Sequence, residues 1–213
     1  MTMDRGLFSR QRRTVPVVGD MVAVHNVLTG EFAQAPFDAA TRLGQSLLPT
    51  GAIAQTMPRG VAQSTTVASV SGRLMLTQIY LPVCVITNMK VCSGNTASVA
   101  PLNQWGCLYD INGNRLGVTN DDTTNVWTQS APKTFTFATP VSILTEGYYN
   151  LGIMVAVTTT MNTFVGAVSP GALASLPPIP SGRADAGLTT PATAPAVLGT
   201  NTANANAFWA QVA

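Results

Sequence analysis

Between residues 61 and 168 the chain repeats one pattern: a short run rich in β-branched, aromatic and aliphatic residues, then a polar or glycine-bearing break. Within the runs the period is two, the signature of strands with one face inward. Thr65 to Val70 and Arg73 to Leu81 are separated by Ser71-Gly72, and Val83 to Cys92 follows Pro82. Leu102 to Tyr109 runs into Asp110-Ile111-Asn112-Gly113-Asn114, and Arg115 to Thr119 returns. Asn112-Gly113 predicts a type I′ hairpin turn, because both residues accept positive φ. In Lys133-Thr134-Phe135-Thr136-Phe137 the alternation puts both Phe on one face and both Thr on the other. Tyr148 to Thr158 and Thr163 to Val168 close the series. About eight strands at spacings of roughly 8–12 residues, with no helical period between them, predict an antiparallel β-sandwich of jelly-roll-like type.

The flanks differ in texture. Residues 1–60 mix Pro and Gly with a short period-2 stretch, Val15 to Val24, and an apolar stretch, Phe37 to Leu48, behind Asp38 as a candidate helix N-cap. They read as an extended N-terminal arm that docks on a neighbour. Residues 169–213 form a Pro/Ala/Thr-rich C-terminal arm that includes Leu176-Pro177-Pro178-Ile179-Pro180, a sequence suited to extended chain. Apolar residues return only at Phe208, Trp209 and Val212, which predicts a terminal strand or anchor packing on the sandwich or on a neighbouring subunit. The expected organisation is thus arm 1–60, sandwich 61–168 and arm 169–213.

Composition narrows the class. Only 9% of the 213 residues are charged, against roughly 25% in ordinary globular domains. Two Lys and two Glu exclude coiled coils and charged helical bundles. The densest apolar stretch, Ile79 to Ile86, contains Pro82 and is far short of the about 18 residues of a membrane helix. No apolar run marks the first 30 residues as a secretory leader. Neither a membrane nor a specific nucleic acid is therefore an expected partner, since the sandwich charges balance: Arg73, Lys90, Arg115 and Lys133 offset Asp110, Asp121, Asp122 and Glu146. The net charge of +2 resides in the N-terminal zone, where Arg5, Arg10, Arg12 and Arg13 are candidate interface residues.

Catalytic candidates are sparse. His25 is the single histidine and lies in the arm, and no nucleophile elbow, phosphate loop or dinucleotide fingerprint is present. Cys84, Cys92 and Cys107 are odd in number and lack C-x-x-C spacing, so free thiols are expected, with Cys84 and Cys92 on one strand. Asp110, Asp121 and Asp122, with neighbouring Asn residues, offer oxygen ligands, but their spacing departs from a calcium loop and turns select Asp and Asn for backbone reasons. No enzyme activity, cofactor or metal is expected. Among the aromatics, Trp105 and Tyr109 share a strand face and read as core, Tyr148 and Tyr149 point to opposite faces, and Trp127 in a polar loop is either a sandwich plug or a contact residue. Trp127, Phe208 and Trp209 join the arginines as candidate interface residues.

The run Asn103-Gln104-Trp105-Gly106-Cys107-Leu108-Tyr109-Asp110, then Gly113, Leu116-Gly117-Val118-Thr119, Lys133-Thr134-Phe135, Pro140 and Gly147 to Val155, resembles a β-sandwich module of virion proteins from tailed phages, especially those of actinobacteria. The resemblance covers about residues 65–168 and neither arm. It implies a structural role as a capsid decoration or minor capsid protein on the capsid exterior, made in the host cytoplasm, with the major capsid protein and copies of itself, as a trimer or other symmetric cluster, as partners. The alternative it implies is a minor tail or fibre protein whose sandwich binds a host-surface carbohydrate through an exposed aromatic platform.

Overall fold

A computed structural model describes residues 21–25, 32–36, 48, 51–68, 70–123, 125–168, 181–184, 193–199 and 201–213. The chain divides into two units, Met1–Leu47 and Leu48–Ala213. In the first, β1 (Met21–His25) and β2 (Phe32–Pro36) pair antiparallel, with Met21 opposite Pro36 and His25 opposite Phe32. The end of the expected 15–24 strand falls on β1, whereas the helix expected over 37–48 lies outside the described residues apart from Leu48.

The second unit is an antiparallel β-sandwich. Its strands are β3 (Ala54–Gln55), β4 (Gln63–Ala68), β5 (Leu74–Leu81), β6 (Cys84–Cys92), β7 (Val99–Tyr109), β8 (Arg115–Val118), β9 (Pro132–Ile143), β10 (Gly147–Thr160), β11 (Thr163–Val168), β12 (Ser181–Ala184), β13 (Asn201–Ala203), β14 (Asn206–Phe208) and β15 (Ala210–Val212). One layer is a six-stranded sheet in the order β13-β12-β5-β10-β7-β8. The other is a four-stranded sheet, β3-β15-β6-β9, joined through a Ser93–Phe164 bridge to a three-stranded sheet, β14-β11-β4. Among the described residues, no helix is long and apolar enough to cross a membrane.

Alternation along each strand divides the interior in two. Met75, Ile79 and Leu81 of β5 and Leu151, Ile153 and Val155 of β10 meet Ile86, Met89 and Val91 of β6 and Phe135, Phe137, Val141 and Ile143 of β9. The expected inward pair Phe135 and Phe137 is therefore core. The opposite face of the six-stranded sheet is also buried: Leu74, Leu76, Trp105, Cys107, Tyr109, Met154 and Ala156 pack beneath Ala194, with Leu198 at the margin. Residues 193–199 are strapped there by hydrogen bonds. The Arg115 N–H donates to Ala196 O at 2.9 Å, the Leu198 N–H to Gly113 O at 2.8 Å and the Tyr109 hydroxyl to Pro195 O at 2.9 Å.

The sandwich is larger than the expected 61–168. β3 precedes it and β12 to β15 follow it, yet each is a strand of one of the sheets. Strands of two to four residues are too short to display a period in sequence, so only their pairing reveals them. The turn at Asn112-Gly113 also differs from type I′. Gly113 has φ +85° whereas Asn112 is not among the positive-φ residues; the Gly113 N–H donates to Asp110 O at 3.1 Å and the Asp110 N–H to Asn114 O at 2.9 Å. This is a three-residue connection, a type I turn closed by one left-handed glycine.

Close packing on both faces of the six-stranded sheet requires glycine at its centre. A Cβ on Gly152 would lie 2.6 Å from Cys107 Sγ and 3.0 Å from Leu74 Cδ1, and one on Gly106 would lie 1.9 Å from Met89 Sδ. Gly152→Ala is expected to destabilise the sandwich by about 1–3 kcal/mol, read as a lower urea midpoint at unchanged slope; an unchanged midpoint would mean that this face repacks freely.

Candidate interaction site

The loop between β8 and β9 carries the densest polar chemistry and is self-satisfied. Asp121 accepts from the Gln104 backbone N–H at 2.7 Å and from the Asn103 side-chain amide. Gln104 Nε2 donates to Asp122 O at 3.1 Å and Asn125 O at 2.8 Å. Lys133 Nζ completes the network, 2.8 Å from the Asp122 carboxylate and 3.0 Å from both Gln104 Oε1 and Asn125 O. Asp110 is likewise engaged by the backbone N–H and side-chain amide of Asn114, at 2.7 and 2.8 Å. These aspartates fix loops, and among the described residues no group of three or more His, Cys, Asp or Glu could hold a metal ion.

This network positions Trp127, which is 2% exposed. Its ring meets Phe135 and Phe164 edge-on, with centroids 5.6 and 5.4 Å apart, and its Nε1 donates to Ala131 O at 3.0 Å. Lys133 Nζ stands over Trp127 and Phe135, 5.7 and 5.6 Å from the ring centroids, a geometry in which the ring faces attract the cation. Of the two roles open to Trp127 in sequence, the structure assigns the plug. Phe208 and Trp209, candidate interface residues, are buried within this chain as well. Phe208 packs against Phe164 at 6.0 Å, and Trp209 sits between β14 and β15 with its backbone N–H donating to Val165 O at 2.7 Å while its indole Nε1 is enclosed without an acceptor. Phe208 belongs to the sandwich core, whereas Trp209, 5% exposed, lines an apolar cavity outside it. Arg5, Arg10, Arg12 and Arg13 lie outside the described residues, and His25 falls in β1.

The thiols are free: Cys84 and Cys92 stand on β6, half-buried, and Cys107 is buried on β7. Burial pushes all three thiols up, most strongly Cys107. Desolvation likewise raises the neighbouring Tyr109 hydroxyl. Burial thus disfavours the thiolate, the reactive form of cysteine, most strongly at Cys107.

Exposed apolar residues occur at several places among the described residues, Val61, Val70, Val99, Leu102, Val126 and Val168 included. At the end of the sandwich where β5, β6, β9 and β10 turn, Tyr80, Val83, Val85, Leu144 and Tyr148 are exposed, Leu144 by 84%. Tyr80 and Tyr148 are register partners with their rings edge-on, centroids 5.4 Å apart. Ile111, Leu116 and Val197 are exposed near the adjoining β7–β8 turn. Two of the cavities among the described residues open beside the four-stranded sheet. One, of about 260 Å³, is largely apolar and is lined by Arg59, Ala62, Cys92, Ser93, Ser130, Val165 and Trp209. The other, of about 150 Å³, is lined by Gly51, Asn88, Lys90, Thr134, Gln211 and Ala213. Sequence reasoning saw that Tyr148 and Tyr149 face opposite ways. It missed Tyr80, Lys90 and Gln211, whose grouping depends on cross-strand register.

The Asp122 carboxyl is held below its ordinary value: burial raises it, but the hydrogen bond and charge of Lys133, with Asn125, outweigh that. A lowered carboxylate contributes stability that is present above the unfolded value, about pH 4, and is lost as pH falls through the folded value. Asp122→Asn is expected to lower stability by about 1–2 kcal/mol at neutral pH and to weaken the decline in acid. Urea midpoints across that range check it; a penalty that stays constant into acid would show that the pair carries no proton-linked stability. No protein-family model, curated protein or solved structure matches this chain.

Proposed function

We propose that the chain is a structural, non-catalytic virion protein, a capsid decoration or minor capsid protein that binds the major capsid protein on the exterior of a tailed-phage head beside copies of itself. The observation that carries this reading is the apolar end of the sandwich formed by Tyr80, Val83, Val85, Leu144 and Tyr148. Contiguous exposed apolar side chains are costly in water and mark surfaces that another protein covers. Glu146 is the exposed charge at the same turn, so desolvating this end removes few ions from water. The resemblance over residues 65–168 and the low charge support the same reading. The N-terminal arginines Arg5, Arg10, Arg12 and Arg13 supply polar anchors in it, and linking them to a docked sandwich multiplies weak contacts into avidity.

One observation favours a second reading. The exposed Tyr80–Tyr148 pair offers ring faces of the kind that pack on sugars, as expected of a minor tail or fibre protein binding host carbohydrate.

Quantitative mass spectrometry of purified particles separates the two. A shell protein is expected at hundreds of copies per particle, with the double variant Tyr148→Ser, Leu144→Ser incorporated at least about tenfold less while folding normally. A few copies per particle, together with cell-wall glycan binding lost in Tyr148→Ala, would establish the second reading; absence from particles would overturn both.

A further inference from the structure

The sequence contains one Asn-Gly pair, Asn112-Gly113, and the structure sets it apart from other asparagines of the sandwich. Asn88 donates its side-chain amide to Thr87, Asn103 to Asp121, Asn114 and Asn150 to Asp110, and Asn125 to Asp122. Each of these is followed by a residue with a side chain. Asn112 instead stands exposed at the tip of the β7–β8 connection. Gly113 behind it has no Cβ, so its backbone nitrogen is unhindered as a nucleophile toward the preceding side chain.

This turn also holds the segment that covers the back of the six-stranded sheet. The Gly113 carbonyl accepts from the Leu198 N–H at 2.8 Å, the Arg115 N–H donates to Ala196 O at 2.9 Å, and Asn114 bridges Val197. A Cβ on Gly113 would lie 3.2 Å from Leu198 Cβ, so turn and strap are in close contact. Beneath them Ala194 and Leu198 pack on the cluster that includes Trp105 and Tyr109. The connection itself has no slack. The Gly113 N–H donates to Asp110 O at 3.1 Å, the Asp110 N–H to Asn114 O at 2.9 Å and the Asn114 N–H to Asp110 Oδ1 at 2.7 Å.

We propose that Asn112 is a modification site at which the chain deamidates to isoaspartate, and that the lengthened turn releases residues 193–199 from the back of the six-stranded sheet. Opening the 3.1 Å bond to Asp110 O frees the Gly113 nitrogen. That nitrogen loses its proton to solvent base and bonds to Asn112 Cγ, the Cγ–Nδ2 bond breaks, and the amide nitrogen takes up a proton and leaves as ammonia. Water then opens the cyclic imide at either carbonyl, giving aspartate or isoaspartate. In isoaspartate the backbone runs through Cβ and Cγ and is one carbon longer. A connection tied at both ends takes up that carbon only by moving the Gly113 carbonyl away from the Leu198 N–H, which loses a bond that holds the strap. Aspartate keeps the backbone length and adds only a carboxylate beside Asp110.

The test ages the full chain at mildly alkaline pH and follows it by peptide mapping with fragmentation that separates aspartate from isoaspartate. Conversion at Asn112 is expected at least about tenfold faster than at Asn114. In the isoaspartyl fraction, isolated by ion exchange, the amides of residues 193–199 are expected to exchange hydrogen at least about tenfold faster than in the unaged chain, with β5, β6 and β10 as protected as before. Asn112→Gln, which keeps an amide at the tip but disfavours ring closure, is expected to retain its strap protection through the same ageing. Asn112→Asp is expected to be protected from the start. Conversion at Asn112 no faster than at Asn114 would overturn the modification site. An isoaspartyl fraction with the strap protection of the unaged chain, or loss of that protection in Asn112→Asp, would overturn release through backbone length.

Discussion

β15 fills the slot between β3 and β6, and the rest of the sandwich is arranged around that insertion. An inner strand satisfies two sheet edges at once, so removing it would leave two rows of unpaired backbone groups beside an opened core. Thr56 clamps it: its hydroxyl donates to Phe208 O at 3.0 Å and accepts from the Ala210 N–H at 2.9 Å, while its own N–H donates to Ala210 O at 2.9 Å. The Ile53 N–H adds a bond to Val212 O at 2.8 Å. Burying Phe208 and Val212 contributes on the order of 1.5–3 kcal/mol each. The residues joined here are more than 150 positions apart. Pairing at such separation raises contact order, a feature associated with slower folding.

The same C-terminal region covers the opposite side of the molecule. Residues 193–199 lie over the back of the six-stranded sheet, while β14 and β15 complete the other layer. The centre of the six-stranded sheet is buried on both faces, and its central strands β7 and β10 accept glycine where neighbouring side chains leave no room, at Gly106 and Gly152. Large aromatic residues are drawn inward by this arrangement: Trp105, Trp127, Phe164 and Phe208 are all interior. Among the described residues, the large apolar side chains left exposed lie largely at strand ends and turns.

The long strands were legible in the sequence because their alternation extends over many residues. Phe135 and Phe137 against Thr134 and Thr136, or Trp105 and Tyr109 on one face, follow directly from the two-residue period. The short strands were not: Ala54–Gln55 and Ala210–Val212 are strands because slots exist for them, and those slots are made by residues far away in the chain. Trp127 shows the same limit. Its polar surroundings in sequence are compatible with exposure, but Gln104, Asp121, Asp122 and Lys133 fold those polar groups into a collar and leave the ring inside. Gln211 and Lys90 are neighbours only through register, so no sequence spacing reveals them as a pair.

Hydrogen exchange in the native protein gives the most direct measurement of the role assigned to β15. The amides of Trp209, Ala210 and Ala213, which donate to Val165 O, Thr56 Oγ1 and Asn88 O, are expected to exchange only through global unfolding, with the same free energy and denaturant dependence as those of β7 and β10. Exchange of these amides through local fraying, while β7 and β10 remain protected, would contradict a sandwich closed by its C-terminal strand.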